Sequence, residues 1–156
     1  MTEREGKPQG GWQLNCPVSL RDHAECVTLA HGEGGRLSRK LIQDRILKIL
    51  QPVASQSLDD AARLPHSGQP LAMTTDSFVV TPLFFPGGDI GSLAVYGTVN
   101  DLAVSGARPR WLTLSLMIEE GLPLAVLERI LESVTRAAGE TAVQVVAGDT
   151  KVVPRG

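Results

Sequence analysis

A chain of 156 residues, 42% hydrophobic and 21% charged, has material for one domain with a real core and the composition of a soluble globular protein. Its net charge of −2, with Lys and Arg scattered, excludes the concentrated basic face of a nucleic-acid binder. No apolar run approaches the ~18 residues of a membrane span. The N-terminal residues lack the hydrophobic core of a signal peptide, so the expected location is cytoplasmic. Cys16 and Cys26 show neither a C-x-x-C pairing nor a His at metal-finger spacing, and they read as free thiols in a reducing compartment.

Residues 1–21 are polar with scattered Gly and Pro, which predicts a disordered lead-in to a folded domain over 22–156. Val27 and Leu29 suggest a short strand entering the loop His31-Gly32-Glu33-Gly34-Gly35. A helix is predicted from Arg36 to Leu50, with Leu37, Leu41, Ile42, Ile46 and Ile49 as its stripe and Pro52 as its stop. Gln51 to Gln69 is a predicted loop holding Asp59-Asp60-Ala61-Ala62. Leu71 to Thr81, rich in Thr, Val and Phe, reads as a strand with Asp76 in its middle.

Pro86-Gly87-Gly88 marks a turn, Asp89 an N-cap, and Gly106 with Pro109 the stop of a central helix. Ile90, Leu93, Ala94, Val104 and Ala107 can share its apolar side. Asn100-Asp101 interrupt that helix with polar groups. Gly97 and Ser105, one turn to either side, are expected to leave the same face open to something bulky. Trp111 to Glu119 alternates strictly, Leu112, Leu114, Leu116 and Ile118 against Thr113, Ser115 and Met117, which predicts a strand packed on helices. The next helix has Pro123 in its predicted first turn, Gly139 past its predicted end, and Leu124, Leu127, Leu131 and Val134 as its stripe, with Glu132 and Arg136 as an i,i+4 pair. Ala142 to Ala147 is the last predicted strand, delivering Gly148-Asp149-Thr150-Lys151. The expected class is mixed α/β (α+β), a sheet covered on one side by helices.

Four aspartates stand where a plain fold seldom needs them: Asp60 in a loop, Asp76 in a strand, Asp101 on an apolar helix and Asp149 after a glycine. Singly, Asp60 reads equally as a turn former or cap, Asp76 as a bend, Asp149 as a turn residue and Lys151 as a solvated lysine. Jointly they suggest a hard cation that neutralises their repulsion, Mg²⁺ carrying substrate phosphates. Thr150 and Lys151 would add a hydroxyl and an ammonium for phosphate oxygens. Glycines 32, 34 and 35 would let backbone N–H groups approach phosphate, or form only a flexible turn. His31 reads as a loop histidine. Phe84-Phe85 reads as an anchor ahead of a helix or as an exposed partner surface.

The strings HGEGG (31–35), TTDSFVVTPLFFPGGDIGSLAVYGTVNDLAVSGARPRWL (74–112), EEGLP (119–123) and AGDTKVVPRG (147–156) resemble the hydrogenase maturation family HypE. That family belongs to the superfamily of aminoimidazole ribonucleotide synthetase and thiamine-monophosphate kinase. The resemblance implies an N-terminal domain built as an α/β sandwich that forms a homodimer through its sheet and binds ATP and Mg²⁺. Carried over motif by motif, it implies Asp60, Asp76, Asp101 and Asp149 as metal ligands. Asn100, Thr150 and Lys151 would bind nucleotide, with the glycine loop folded over it, and Lys151 and Asp101 would take catalytic roles.

The implied reaction is the ATP-dependent dehydration of a C-terminal cysteine thiocarboxamide to a thiocyanate, the source of cyanide for nickel–iron hydrogenase. The implied partners are the carbamoyltransferase HypF and the HypC–HypD complex. Against the family pattern, Leu58 stands where a Gly usually precedes Asp-Asp-Ala-Ala. The family's second domain and tail cysteine are not in the 156 residues, so turnover by these residues alone is not expected. Alternative readings are a non-catalytic dimerisation or docking module and a small-molecule kinase of the same superfamily.

Overall fold

The computed structural model describes residues 26–54, 64, 65, 68 and 70–156. The expected lead-in, Cys16 and the Asp59-Asp60-Ala61-Ala62 string lie outside the described residues. In chain order come a 3-10 turn (Leu29–His31), helix α1 (Arg36–Leu41), a π-helical turn (Ile42–Ile46) and helix α2 (Leu47–Leu50). Strands β1 (Phe84–Phe85) and β2 (Gly88–Asp89) follow, then helix α3 (Ile90–Val104), strand β3 (Trp111–Glu119), helix α4 (Leu124–Glu140) and strand β4 (Gln144–Val153).

The central unit is β3–α4–β4, two parallel strands joined through a helix. The alternation of β3 appears as expected: Leu112, Leu114, Leu116 and Ile118 face the helices, while Thr113, Ser115, Met117 and Glu119 are exposed. All four predicted stripe residues of α4 are buried, with Leu131 fully so, and Ala137 and Ala138 extend the stripe by a turn. Val27, Leu41, Ile46, Leu50 and Val95 close the same core. Losing a side chain such as that of Leu131 costs about 2–5 kcal/mol.

Several local expectations are corrected. Leu71 to Thr81 forms no strand, because no segment among the described residues pairs with it; only Phe78 and Val80 are half-buried. Val27 is held by a bridge rather than a strand: its N–H donates to the Leu122 carbonyl at 2.8 Å and its carbonyl accepts from Gly121 at 2.8 Å. Leu29 then starts the 3-10 turn. Gly139 lies inside α4, which runs to Glu140, and Pro123 stands at its N-cap. The Arg136 guanidinium donates to Ser133 at 2.9 Å, a neighbour the i,i+4 pattern did not name. Strand β4 does not end at Ala147 but runs through Gly148-Asp149-Thr150-Lys151, because β3 supplies partners as far as Glu119. The helix over 36–50 contains the π turn. Its buried apolar residues, Leu41, Ile46 and Leu50, are therefore spaced five and four apart, and Leu37 turns outward.

The junction of α3 with α4 holds the two layers in register. Pro86 and Gly87 (φ 93°) turn the β1–β2 hairpin, and Asp89 caps α3 as its sequence position predicts. The Asp89 Oδ1 accepts from Gly91 N at 2.8 Å and from Ser92 N at 3.0 Å. Its Oδ2 accepts from the Ser133 hydroxyl of α4. A Cβ at Gly91 would lie 2.4 Å from the Ile130 carbonyl oxygen, so only glycine allows this approach of the helices. The buried face of α3 is accordingly Gly91 and Val95, and Val104 of the expected apolar side is exposed.

Two substitutions test this packing by urea denaturation. Gly91→Ala is expected to destabilise by about 1–3 kcal/mol, since the clash is with backbone. Gly139→Ala, where a Cβ meets nothing within 4 Å, is expected to stabilise by about 0.5–1 kcal/mol.

Candidate functional site

The open face of the β3–β4 sheet carries the polar chemistry. Parallel register sets Ser115 beside Asp149 and Met117 beside Lys151, all on the face turned away from the helices. A Cβ at Gly148 would lie 2.6 Å from the Leu114 carbonyl oxygen, so glycine permits close strand approach just before the aspartate. The Asp149 Oδ1 accepts from Thr150 N at 2.8 Å and from the Lys151 ammonium at 3.2 Å. The hydrogen bond from Lys151, then that from the Thr150 backbone, hold the Asp149 carboxyl below its ordinary range.

The glycine loop is brought to the same strand. A Cβ at Gly32 would lie 2.8 Å from Val152 N, one residue beyond Lys151. Thr28 and His31 cap the turn before the loop. The imidazole Nδ1 accepts from Thr28 N at 3.0 Å and lies 2.9 Å from the Thr28 hydroxyl, which gives the histidine a structural task in its own loop. Glu120 fastens the turn to the end of β3 by accepting from Leu29 N at 3.2 Å. Within the loop, Gly32 N donates to Leu29 O at 2.8 Å and Gly34 N to the Ser38 hydroxyl at 2.9 Å. Two of its three glycine N–H groups thus have partners, and Gly34 adopts φ 75°.

The remaining predicted residues lie elsewhere. Asn100 and Asp101 are exposed on the last turns of α3, in the helical layer on the other face of the sheet. Asp76 is exposed, and its Oδ1 accepts from Ser77 N at 2.8 Å. The gap expected at Gly97 is filled: the Phe78 ring stands 2.6 Å from where a Cβ would be, so the 76–80 segment lies along α3. Phe84 and Phe85 are half-buried, and the Arg129 guanidinium sits 3.9 Å over the Phe84 ring, which favours the anchor reading. Carboxylate oxygens are the donors Mg²⁺ prefers. Among the described residues, however, no three acidic, His or Cys side chains gather closely enough to hold a metal ion. The fold thus sets Asp149 and Lys151 side by side on the open face and packs the glycine loop against Val152 of the same strand. Thr150 turns to the helix-facing side, and Asp76, Asp101 and Asp149 are not gathered.

Sequence reasoning missed Ser115 as the neighbour of Asp149. Alternation had placed it on the right face, but no local signal named the strand beside it. No helix among the described residues is long and apolar enough to cross a membrane.

The Asp149–Lys151 pair makes a direct prediction. Replacing the lysine, Lys151→Met, is expected to raise the Asp149 carboxyl toward its ordinary range, read by carboxyl carbon NMR across a pH titration. Because the folded state depresses this carboxyl, the pair stabilises the fold above the ordinary carboxylate pKa. That contribution fades as pH falls through the depressed value. Both groups are more than half exposed, so it is small.

The family model described as AIR synthase related protein, N-terminal domain, matches residues 58–156. Carbamoyl dehydratase HypE of Rhodobacter capsulatus is 51% identical over 144 residues, covering 89% of this chain and 41% of that protein. Its counterpart in Escherichia coli K12 is 44% identical over 135 residues, covering 83% of this chain and 40% of that one. Among solved structures, a hydrogenase maturation protein HypE in complex with ATP superposes with a TM-score of 0.76 at 52% identity, covering 83% of this chain and 38% of the other. HypE in a HypE–HypF complex superposes at 0.51 and 59% identity, covering 52% and 27%. The chain spans about two fifths of the length of the curated relatives it matches. A model covering residues 58–156, the bulk of the described fold, shows that the chain belongs to the AIR synthase-related family, by that family's N-terminal domain.

Proposed function

We propose that this chain is the nucleotide-binding part of an ATP-dependent carbamoyl dehydratase of nickel–iron hydrogenase maturation, acting in the cytoplasm. One observation carries the reading: Asp149 and Lys151 stand together on the open sheet face, with the glycine loop packed against the same strand. The likeness to a HypE solved with ATP supports it. In this reading Lys151 leaves Asp149 to meet phosphate oxygens, while Thr150, whose side chain is on the helix-facing side, serves through its backbone N–H, which donates to Asp149. Magnesium, when bound, would supply the charge neutralisation that phosphoryl chemistry needs.

Asp60, Asp76, Asp101 and Asp149 remain the proposed ligands, and Asn100 is a proposed nucleotide contact. Since the three described carboxylates do not gather within one protomer, the ligand set is proposed to be shared between two copies. HypF and the HypC–HypD complex are the proposed partners of the whole protein, a role supported for HypF by the likeness to HypE in a HypE–HypF complex.

Isothermal titration with ATP and Mg²⁺ tests the nucleotide reading. Saturable heat is expected, weakened about tenfold or more by Lys151→Ala. No heat, or equal affinity in that variant, would overturn it. Light scattering tests the shared site. A dimer at micromolar concentration is expected, and mixing Asp101→Asn chains with Lys151→Ala chains should restore part of the binding that each lacks. A monomer, or a mixture no better than its components, would reject sharing.

A further inference from the structure

At the ends of β3 and β4 opposite Lys151, the fold leaves a pocket of about 500 Å³ that contains none of the residues proposed to bind nucleotide, although Val99 of its lining adjoins Asn100. One wall is the turn from Arg108 to Trp111, the other is Ala142 and Gln144 after α4, and Val99 of α3 lines it between them. The separation from Lys151 is roughly 20 Å along β4. No acidic residue lines the pocket. The ion pairs among the described residues join Arg45 to Glu128 and Lys151 to Asp149, which leaves both pocket guanidiniums outside them. Arg110 stands 5.3 Å over the Trp111 ring, a stack that orients its fork without using its N–H donors.

The walls are pinned rather than loose. Gln144 N donates to Arg110 O at 2.9 Å, and Ala107 N to Leu102 O at 3.0 Å. Ala142 holds φ 54°, the left-handed region where glycine would be free of strain. An alanine there keeps a methyl group in the wall. Strained non-glycine backbone collects at ligand-holding positions.

We propose that this pocket binds a small organic oxyanion. Its phosphate or carboxylate lies between Arg108 and Arg110, whose forked donors match either group. Its apolar body lies against Trp111 and Pro109. Ligand pockets of this size combine apolar walls with a few placed polar groups, and this one supplies two cations, a side-chain amide and an indole.

The test uses the full chain with Trp12→Phe, so that Trp111 is the remaining indole, titrated with phenyl phosphate, benzoate and inorganic phosphate. A saturable change in Trp111 fluorescence with an organic probe is expected, and the tighter of the two identifies the head group. Inorganic phosphate should bind more weakly. Arg108→Gln and Arg110→Gln should each weaken the organic probe about tenfold with unchanged melting temperature, and Lys151→Ala should not weaken it. The proposal is overturned by no saturable response, by equal affinity in both arginine variants, by inorganic phosphate binding equally well, or by displacement of the probe with ATP.

Discussion

The arrangement depends on one buried carboxylate. Asp89 is enclosed where α3 begins, and an unsatisfied charge there would be costly. The fold meets that cost by saturating it: two backbone N–H groups of its own helix donate to one oxygen, and Ser133 of the facing helix donates to the other. Arg136 reaches the same serine. Because one side chain serves both as a cap and as a tie between helices, α3 cannot slide along α4 without leaving the carboxylate unpaired. Gly91 fixes the separation while Asp89 fixes the register. Asn100, Asp101 and the Val99 wall of the basic pocket all inherit their positions from this contact.

Much of that was legible because its causes are local. The Asp89 cap, the Pro-Gly turn, the α4 stripe and the β3 alternation each follow from a few adjacent residues whose side chains alone set the local preference. What was not legible depended on partners distant in sequence. Residues 71–81 have the composition of a strand, but a strand needs a neighbour, and none is found within the described chain. Gly139 resembles a helix terminator, yet the turn after α4 is made by Ala142 instead, in a conformation the sequence does not advertise. The π turn shifts the buried face of the first helix by one residue, a change that a fixed period of 3.6 cannot anticipate.

The candidate site divides along the same line. Asp149, Thr150 and Lys151 are neighbours in sequence, and their nearness followed from the string itself. The approach of the glycine loop to β4 was implied only by resemblance, and the packing of Gly32 against Val152 supplies its geometry. Convergence of acid groups from three separate elements was the longest step from residues to chemistry. Repulsion between carboxylates gives a reason for a cation only once they are close, and closeness is a property of the assembled fold. The described residues place Asp149 on the sheet face and Asp101 in the helical layer.

The segment from Leu71 to Val80 has a further consequence. Met73 and Val79 are almost wholly exposed, and Leu71 is largely so, in a run of high β-propensity that pairs with no strand among the described residues. Such a ribbon is a template for cross-β stacking whenever chains crowd together. Asp76 interrupts it near its centre, where stacked copies would place one negative charge above another at each layer. A charge in that position opposes such stacking, whatever ligand the aspartate meets.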